Sequence, residues 1–239
     1  MAKYGSNDVA FFLVDGFDLT GVSTTLSDAT EAQIEESSAL GDAWGESLAT
    51  GVRRAELAAD GFYDDASDSV NAALSGNEAT SRIVCYGFEG NTIHKGMVGL
   101  EGAFGGTYTR GATRNELTKA SATWTVTGQK DTGLIFHTLS AETASGTDTV
   151  DNNAASTSGG AVGYLQVTTS SGTSPTADIK IEDSPDNSSY SDLITFTQAT
   201  GRTAQRATVS GTVNQYVRVS WTLGGTDPSF TFVVGLARG

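Results

Sequence analysis

A chain of 239 residues can hold one large β domain or two of ordinary size, each burying its own apolar core. With 29 glycines, 3 prolines and 38% hydrophobic residues, the composition suits short strands joined by tight turns and argues against long helices. The formal net charge of -14, from 28 acidic and 14 basic side chains, excludes a surface built to grip nucleic acid, which needs phosphate-neutralising Lys and Arg.

The N-terminal residues lack the basic stretch and apolar core of a secretory signal, so the sequence predicts no export and no membrane span. Cys85 is the single cysteine, which rules out an intrachain disulfide and fits folding in a reducing cytoplasm. The run from Val9 to Val14 is short and apolar and stops at Asp15-Gly16, a turn-forming pair, so it predicts a buried strand. Residues 27–40 read locally as a short helix, with Asp28 followed by Glu31 in N-cap spacing and Ala, Gln and Glu inside. From Arg53 to Phe62 polar and small residues alternate. Arg54, Glu56, Ala58 and Asp60 fall on one face, which predicts a strand with one wet, charged side. Asp68 to Leu74, closed by Gly76, has the punctuation of a short helix.

Further strands are predicted over Ser81–Phe88, Lys95–Tyr108 and Lys119–Thr127, the last with Ala120, Ala122, Trp124 and Val126 on its apolar side. Another follows over Gly133–Leu139, then a polar surface loop from Ser140 to Gly160. The remaining residues carry strand signals at 162–168, 176–182, 193–197, 206–210, 216–222 and 229–237, a spacing that suggests a sandwich or jelly roll. Charge divides between the halves, at net -10 over residues 1–132 and -4 over 133–239. Residues 28–68 alone hold eleven acids against Arg53 and Arg54. Solubility is the plain explanation of such a patch.

Signatures of catalysis are missing. The chain has no Gly-x-Ser-x-Gly elbow, no Gly-x-x-x-x-Gly-Lys-Ser/Thr loop and no His-Glu-x-x-His. Gly99, Gly102, Gly105 and Gly106 have the wrong spacing for a dinucleotide loop and read as strand bends or close packing. His94 and His137 stand at no ligand spacing from each other or from Cys85, so no metal site is expected. Glu182, Asp183, Asp186 and Asp192 could gather around calcium, but a solvated turn with Pro185 and Asn187 accounts for them better. The paired acids Glu35-Glu36 and Asp64-Asp65 form a catalytic pair only if they face one cleft. Trp44, Trp124 and Trp221 could stack on sugars, although isolated aromatics in strands are more often core.

The order of segments is informative. Gly16-Phe-Asp-Leu-Thr-Gly21 leads through an acidic segment to Ser38-Ala-Leu-Gly-Asp42, then Gly51-Val-Arg-Arg54, then Ala59-Asp-Gly-Phe-Tyr-Asp-Asp65. This resembles the bacteriophage tail tube protein pattern, in which D-L-S/T-G opens a strand, T-x-x-G-D enters a loop, G-x-R starts the returning strand and G-F-Y/F-D ends it before a helix. Ser38 stands where Thr is commoner. Lys180-Ile-Glu-Asp-Ser-Pro-Asp186 with Tyr190, Gly211-Thr-Val-Asn-Gln-Tyr-Val-Arg218 and Ser229-Phe-Thr-Phe232 carry the resemblance through the C-terminal half.

The resemblance implies a mainly β protein: a tail tube β-sandwich or barrel with one short helix over residues 1–132, and a C-terminal β-sandwich, jelly-roll or Ig-like, over residues 133–239 on the outer surface. It also turns 28–36 from helix to strand. It implies a non-enzymatic structural subunit of the virion tail, made in the host cytoplasm and needing no cofactor. Such a subunit forms stacked, hexameric rings around a channel that conducts DNA during ejection. Its partners would be copies of itself, other tail proteins such as the tape measure and tail terminator, DNA in unspecific passage, and host glycans touched by the C-terminal domain. Glu31, Glu35, Glu56 and Asp60 would line the lumen, where like charge keeps DNA from sticking. Leu40, Gly41, Asp42 and Trp44 would lie in the loop, residues 37–50, that reaches the next ring. The rival from another class is a carbohydrate-binding β-sandwich module on a virion or cell surface.

Overall fold

The computed structural model of the chain describes residues 3, 5, 8–38, 44, 47–66, 69–76, 80–126, 128–148 and 155–239. In chain order the elements are β1 (Phe11–Val14), β2 (Phe17–Asp18), β3 (Ser23–Glu36), β4 (Ser47–Phe62), α1 (Val70–Leu74), β5 (Ser81–Gly87), β6 (Gly96–Gly111), β7 (Lys119–Val126), β8 (Lys130–Glu142), β9 (Gly146–Thr147), β10 (Ala161–Ser184), β11 (Ser191–Thr195), β12 (Thr203–Val209) and β13 (Tyr216–Arg238). The fold is mainly β, and all 13 strands are hydrogen-bonded into one antiparallel sheet that curls into stacked layers. Among the described residues, no helix is long and apolar enough to cross a membrane.

One wing of the sheet runs β3-β4-β7-β6-β5-β1-β2 and encloses a core of Phe12, Leu57, Tyr86, Leu100 and Trp124, closed on one side by Val70, Ala73 and Leu74 of α1. Asp15 (φ 49°) and Gly16 (φ 82°) form the tight β1–β2 turn that the Asp-Gly pair announced. β7 buries Ala120, Ala122, Trp124 and Val126, as its alternation requires.

The other wing is built on a long ribbon. β10 and β13 pair from Ala161 opposite Arg238 to Ser184 opposite Tyr216. Where two strands each were expected, each is one continuous strand with a bend. The bend lies at register shifts around Thr173 and Thr226, where Gly172 (φ 116°) and Gly225 (φ 101°) take conformations that L residues rarely adopt. The backbones approach so closely there that a Cβ on Gly172 would lie 2.6 Å from the Asp227 carbonyl oxygen. Folded at this point, the ribbon lays Leu165, Val167, Phe230 and Phe232 over Ile179, Ile181, Val219 and Trp221 and makes its own sandwich. β12 flanks the first half of β10, while β11 flanks the second half of β10 and β9 the first half of β13.

The wings meet through β8, which pairs with β6 on one edge and with β13 on the other. The division expected between residues 132 and 133 therefore falls within a strand. A third apolar layer of Phe11, Leu13, Cys85, Met97, Ile135, Tyr164 and Val233 fills the junction. This explains why β1 reads as an unbroken apolar run: Phe12 and Val14 face the first core while Phe11 and Leu13 face the junction. Tyr164 Oη donates to Asp131 at 2.6 Å, and the Arg206 guanidinium bridges Asp131 (3.2 Å) and Glu101 (2.6 Å) across the same seam.

The local helix expected over 27–40 does not form; residues 23–36 are strand throughout, as the family resemblance implied. The hydrogen bonds of β4 outcompete a local propensity worth only tenths of a kcal/mol per residue, on the order of 0.5. Gly99 is a packing glycine, because a Cβ there would stand 2.4 Å from the Tyr164 ring. We expect Gly99→Ala to lower stability by about 1–3 kcal/mol, read as a shift in the urea midpoint. Gly111→Ala, with nothing within 4 Å of its Cβ, should leave the midpoint nearly unchanged.

Candidate assembly surface

β4 runs past its neighbour. Its C-terminal half, from Ala55 to Phe62, pairs with β7, whereas residues 47–54 have, among the described residues, β3 as their one strand partner. Among the described residues β3 has β4 as its one strand partner, so its outer edge carries no further strand. The result is a two-stranded arm projecting about 25 Å beyond the body, at 3.3 Å per residue. From Ala29 to Glu36 every residue of β3 is exposed, on both faces. Ile34 (64% exposed), Leu48 (67%) and Val52 (57%) stand in solvent on this arm, and Trp44, in the segment that joins its strands, is 86% exposed.

The arm is anchored at its root. Asp28 pairs with Leu57 and so points toward the core side, where its carboxylate takes hydrogen bonds from Lys130 Nζ and from Tyr86 Oη, the latter at 2.9 Å. Burial alone would raise the Asp28 pKa; the hydrogen bonds from Lys130 and Tyr86 and the Lys130 charge outweigh it and hold the carboxyl below its ordinary value. Burial, with the adjacent Asp28 carboxylate, pushes the Tyr86 phenol far up, so it remains a donor. Local sequence gave no sign of this knot, whose members are 58 and 102 residues from Asp28.

Glu31, Glu35, Glu56 and Asp60 are all exposed. Register sets Glu31 opposite Arg54, Glu35 opposite Leu48, Glu56 between Ala29 and Thr125, and Asp60 between Thr25 and Ser121. With Leu57, Ala59 and Gly61 buried, Arg54, Glu56 and Asp60 share the solvent face of β4, as the alternation required. The Asp60 carboxylate accepts from Thr25 Oγ1 at 2.9 Å. Of the expected loop residues, Trp44 is exposed, and Leu40, Gly41 and Asp42 lie outside the described residues.

At the opposite pole of the same wing, the ends of β4 and β6 and the starts of β3 and β7 border a groove of about 800 Å³. Phe62 (38% exposed) and Leu117 (69%) give it an apolar floor and rim, with Asp60, Glu116 and Lys119 around them.

Each carboxylate of the calcium candidate has its own protein partner. Glu182 binds Arg218 (2.7 Å), Asp183 accepts from the Asn214 backbone (2.8 Å), Asp192 binds Lys180 (2.7 Å), and Asp186 caps the turn amides of Ser188 and Ser189. The Ser189 and Ser188 hydrogen bonds hold the Asp186 carboxyl well below the usual carboxylate range. No cluster of three or more metal-ligating side chains occurs among the described residues. Trp124 and Trp221 are buried, leaving Trp44 as the tryptophan available to a ligand.

Ser140, His137 and Asp148 form a constellation that sequence reasoning missed. Ser140 Oγ is 3.4 Å from His137 Nε2, and His137 Nδ1 meets the Asp148 carboxylate. The order imitates a nucleophile, base and acid. His137, however, is 1% exposed, stacked on Phe232 with centroids 4.1 Å apart and edge-on to Trp221, so no substrate reaches it. Its role is mechanical: with Trp221 Nε1 donating to the Ala144 carbonyl (2.8 Å), it ties residues 142–148 to the folded ribbon.

No protein-family model matches the chain, and no curated protein matches it. Among known structures it is similar to a chain from the tail of an empty gene transfer agent particle, refined helically with C6 symmetry, at 16% identity and a TM-score of 0.40 over 54% of this chain and 97% of that one. A chain from the virion of a native gene transfer agent particle is similar at 14% identity and a TM-score of 0.42, over 55% of this chain and 98% of that one. The SPP1 Dit protein, described as a paradigm of the hub adsorption apparatus in phages infecting Gram-positive hosts, is similar at 14% identity and a TM-score of 0.33, over 95% and 99%.

Asp28→Asn should destabilise the protein at neutral pH by about 1 kcal/mol, the scale of a partly screened, charge-assisted hydrogen bond. Because the folded carboxyl titrates below its unfolded value, this stabilisation is present above the ordinary Asp pKa of about 3.9 and fades as pH falls through the lower folded value. Denaturation midpoints of the two proteins should therefore differ at pH 7 and converge in acid.

Proposed function

We propose that this chain is the structural subunit of a bacteriophage tail tube, assembling into stacked, hexameric rings around a channel that conducts DNA during ejection. The observation that carries the reading is the β3–β4 arm. A two-stranded ribbon wet on both faces is marginal in water by itself, and an open strand edge invites another chain. Both features make sense once neighbouring copies cover them. Lateral addition of a neighbour at the β3 edge closes a ring, and axial contacts, which need not close, stack rings into a tube.

In such a tube the solvent face bearing Glu31, Glu35, Glu56 and Asp60 lines the lumen. Its net charge is acidic: the carboxylates outnumber Arg54, the one base on this face, and repel the phosphate backbone, so DNA slides without being held. Residues 133–239 sit on the outer wall, where they are free to meet host glycans or other tail proteins. Tape measure and terminator would act as assembly partners at the lumen and the tube end. Trp44, 86% exposed, is the observation in favour of a carbohydrate-binding module instead, and a glycan array on a chain that stays monomeric would support that reading.

Negative-stain electron microscopy of the purified chain at rising concentration tests the proposal, with rings or tubes bearing an open channel as the expected outcome. Thiol protection tests the lumen assignment. Burial pushes the native Cys85 thiol up to about 12 and keeps it silent, so single Glu31→Cys and Asp60→Cys substitutions report alone. A bulky maleimide should label both in the monomer and neither in assembled tubes; labelling that persists in tubes removes these carboxylates from the lumen.

A further inference from the structure

Between Val219 and Leu223, β13 reads Val-Ser-Trp-Thr-Leu. The run is uncharged, free of proline and rich in β-branched and aromatic residues, the composition of a segment that pairs with copies of itself when its edge is open. β10 occupies one side of it. On the other side lies a strap, residues 142–148, whose two-residue strand β9 pairs with Ser220 and Trp221. The Asp148 amide donates to the Val219 carbonyl at 3.0 Å, and the Leu223 amide donates to Ser145 Oγ at 2.9 Å, so the strap spans the whole uncharged run.

Few ties hold this strap, and none of its residues belongs to the apolar clusters of the body. Trp221 Nε1 donates to the Ala144 carbonyl at 2.8 Å, and the sealed His137 ring holds the Asp148 carboxylate through Nδ1 and faces Glu142 at 3.9 Å through Nε2. Gly146 lies flat against the indole, where a Cβ would stand 2.8 Å from the Trp221 ring. We infer that the Val219–Leu223 edge of β13 is a latent self-association surface, that its partner is the same edge of a second copy, and that the strap holds it closed. Two copies related by a two-fold axis pair such edges antiparallel, an isologous contact that closes at two chains. In place of this edge the strap offers one only two residues long, with the acids Glu142 and Asp148 at its ends, and a short, charged edge suits no further strand. Neither the arm nor a ring enters this inference, so it stands apart from the tail tube reading.

Opening the strap while leaving the cores intact tests this. Gly146→Val with Asp148→Ala drives a side chain against the Trp221 ring and removes the carboxylate that His137 holds. Backbone amides of residues 219–223 should then exchange with deuterium about tenfold faster or more. Sedimentation velocity, at a concentration where the wild-type chain is a monomer, should show a dimer. Adding Thr222→Lys, which puts a charge at an exposed position of the same run, should restore the monomer while exchange stays fast. Circular dichroism at wild-type strand content separates opening from unfolding, and Asp148→Ala alone carries the same prediction if the double variant loses that content. A strap variant that exchanges fast and stays monomeric, or that dimerises with Thr222→Lys in place, overturns the surface. Exchange at the wild-type rate overturns the strap as its closure. Rings of the wild-type chain, read by electron microscopy, are indifferent to each of these results.

Discussion

The junction layer is the constraint from which the rest of this architecture follows. Phe11, Leu13, Cys85, Met97, Ile135, Tyr164 and Val233 come from six strands of both wings, and each of those strands also faces a second core. A strand buried on both faces stays apolar inside after a one-residue slip, so its register is set by shape, as where Gly99 leaves room for the Tyr164 ring. β8 adds a second reason, because its backbone hydrogen bonds are shared between β6 and β13. The wings therefore behave as one body, with Asp131, Arg206, Tyr164 and Glu101 satisfying the polar groups at the seam. Removal of Arg206 would leave the buried Asp131 carboxylate without its countercharge, which costs far more than the net worth of the pair.

Such a rigid body frees the arm from any duty in folding. The three cores lie within the body, and the distal half of the β3–β4 hairpin contributes to none of them. Its residues can be chosen for what they meet outside. That choice shows in its composition, with acids on the solvent face and Ile34, Leu48 and Val52 left in water at a hydrophobic cost of order 1 kcal/mol each, recovered only against another surface. The Asp28, Lys130 and Tyr86 knot then has a mechanical meaning. It sits where a lever meets its mount, and it holds the arm's direction by charge-assisted hydrogen bonds that a purely apolar contact would not orient.

A second economy appears in the C-terminal wing. Bending one ribbon at Gly172 and Gly225 makes two layers from two strands and removes connections that would otherwise need loops. The bend leaves its inner faces dry and its turns short, and residues 142–148 are pinned to it by His137 and Trp221. The same imidazole, carboxylate and hydroxyl that would make a catalyst in an open cleft make a rivet when sealed beneath Phe232. Access decides between the two, since the donor and acceptor chemistry is identical.

Period-two patterning by itself determined much of this protein: the buried β1 with its Asp-Gly turn, the wet face of β4, the apolar side of β7, the mainly β class and the acidic segment that became the arm. These are local properties, written in neighbouring side chains and in Gly, Asp and Pro punctuation. Tertiary structure alone decided the rest. Residues 27–36 carry helix-forming side chains and become strand because β4 offers a full ladder of hydrogen bonds to a segment whose own preference is weak. Two pairs of expected strands fused into β10 and β13 because a glycine that ends a strand and one that bends it look alike in sequence. The anchor at Asp28, the seam at Asp131 and the groove between Phe62 and Leu117 join residues far apart along the chain, and no local pattern encodes a partner that only folding brings near.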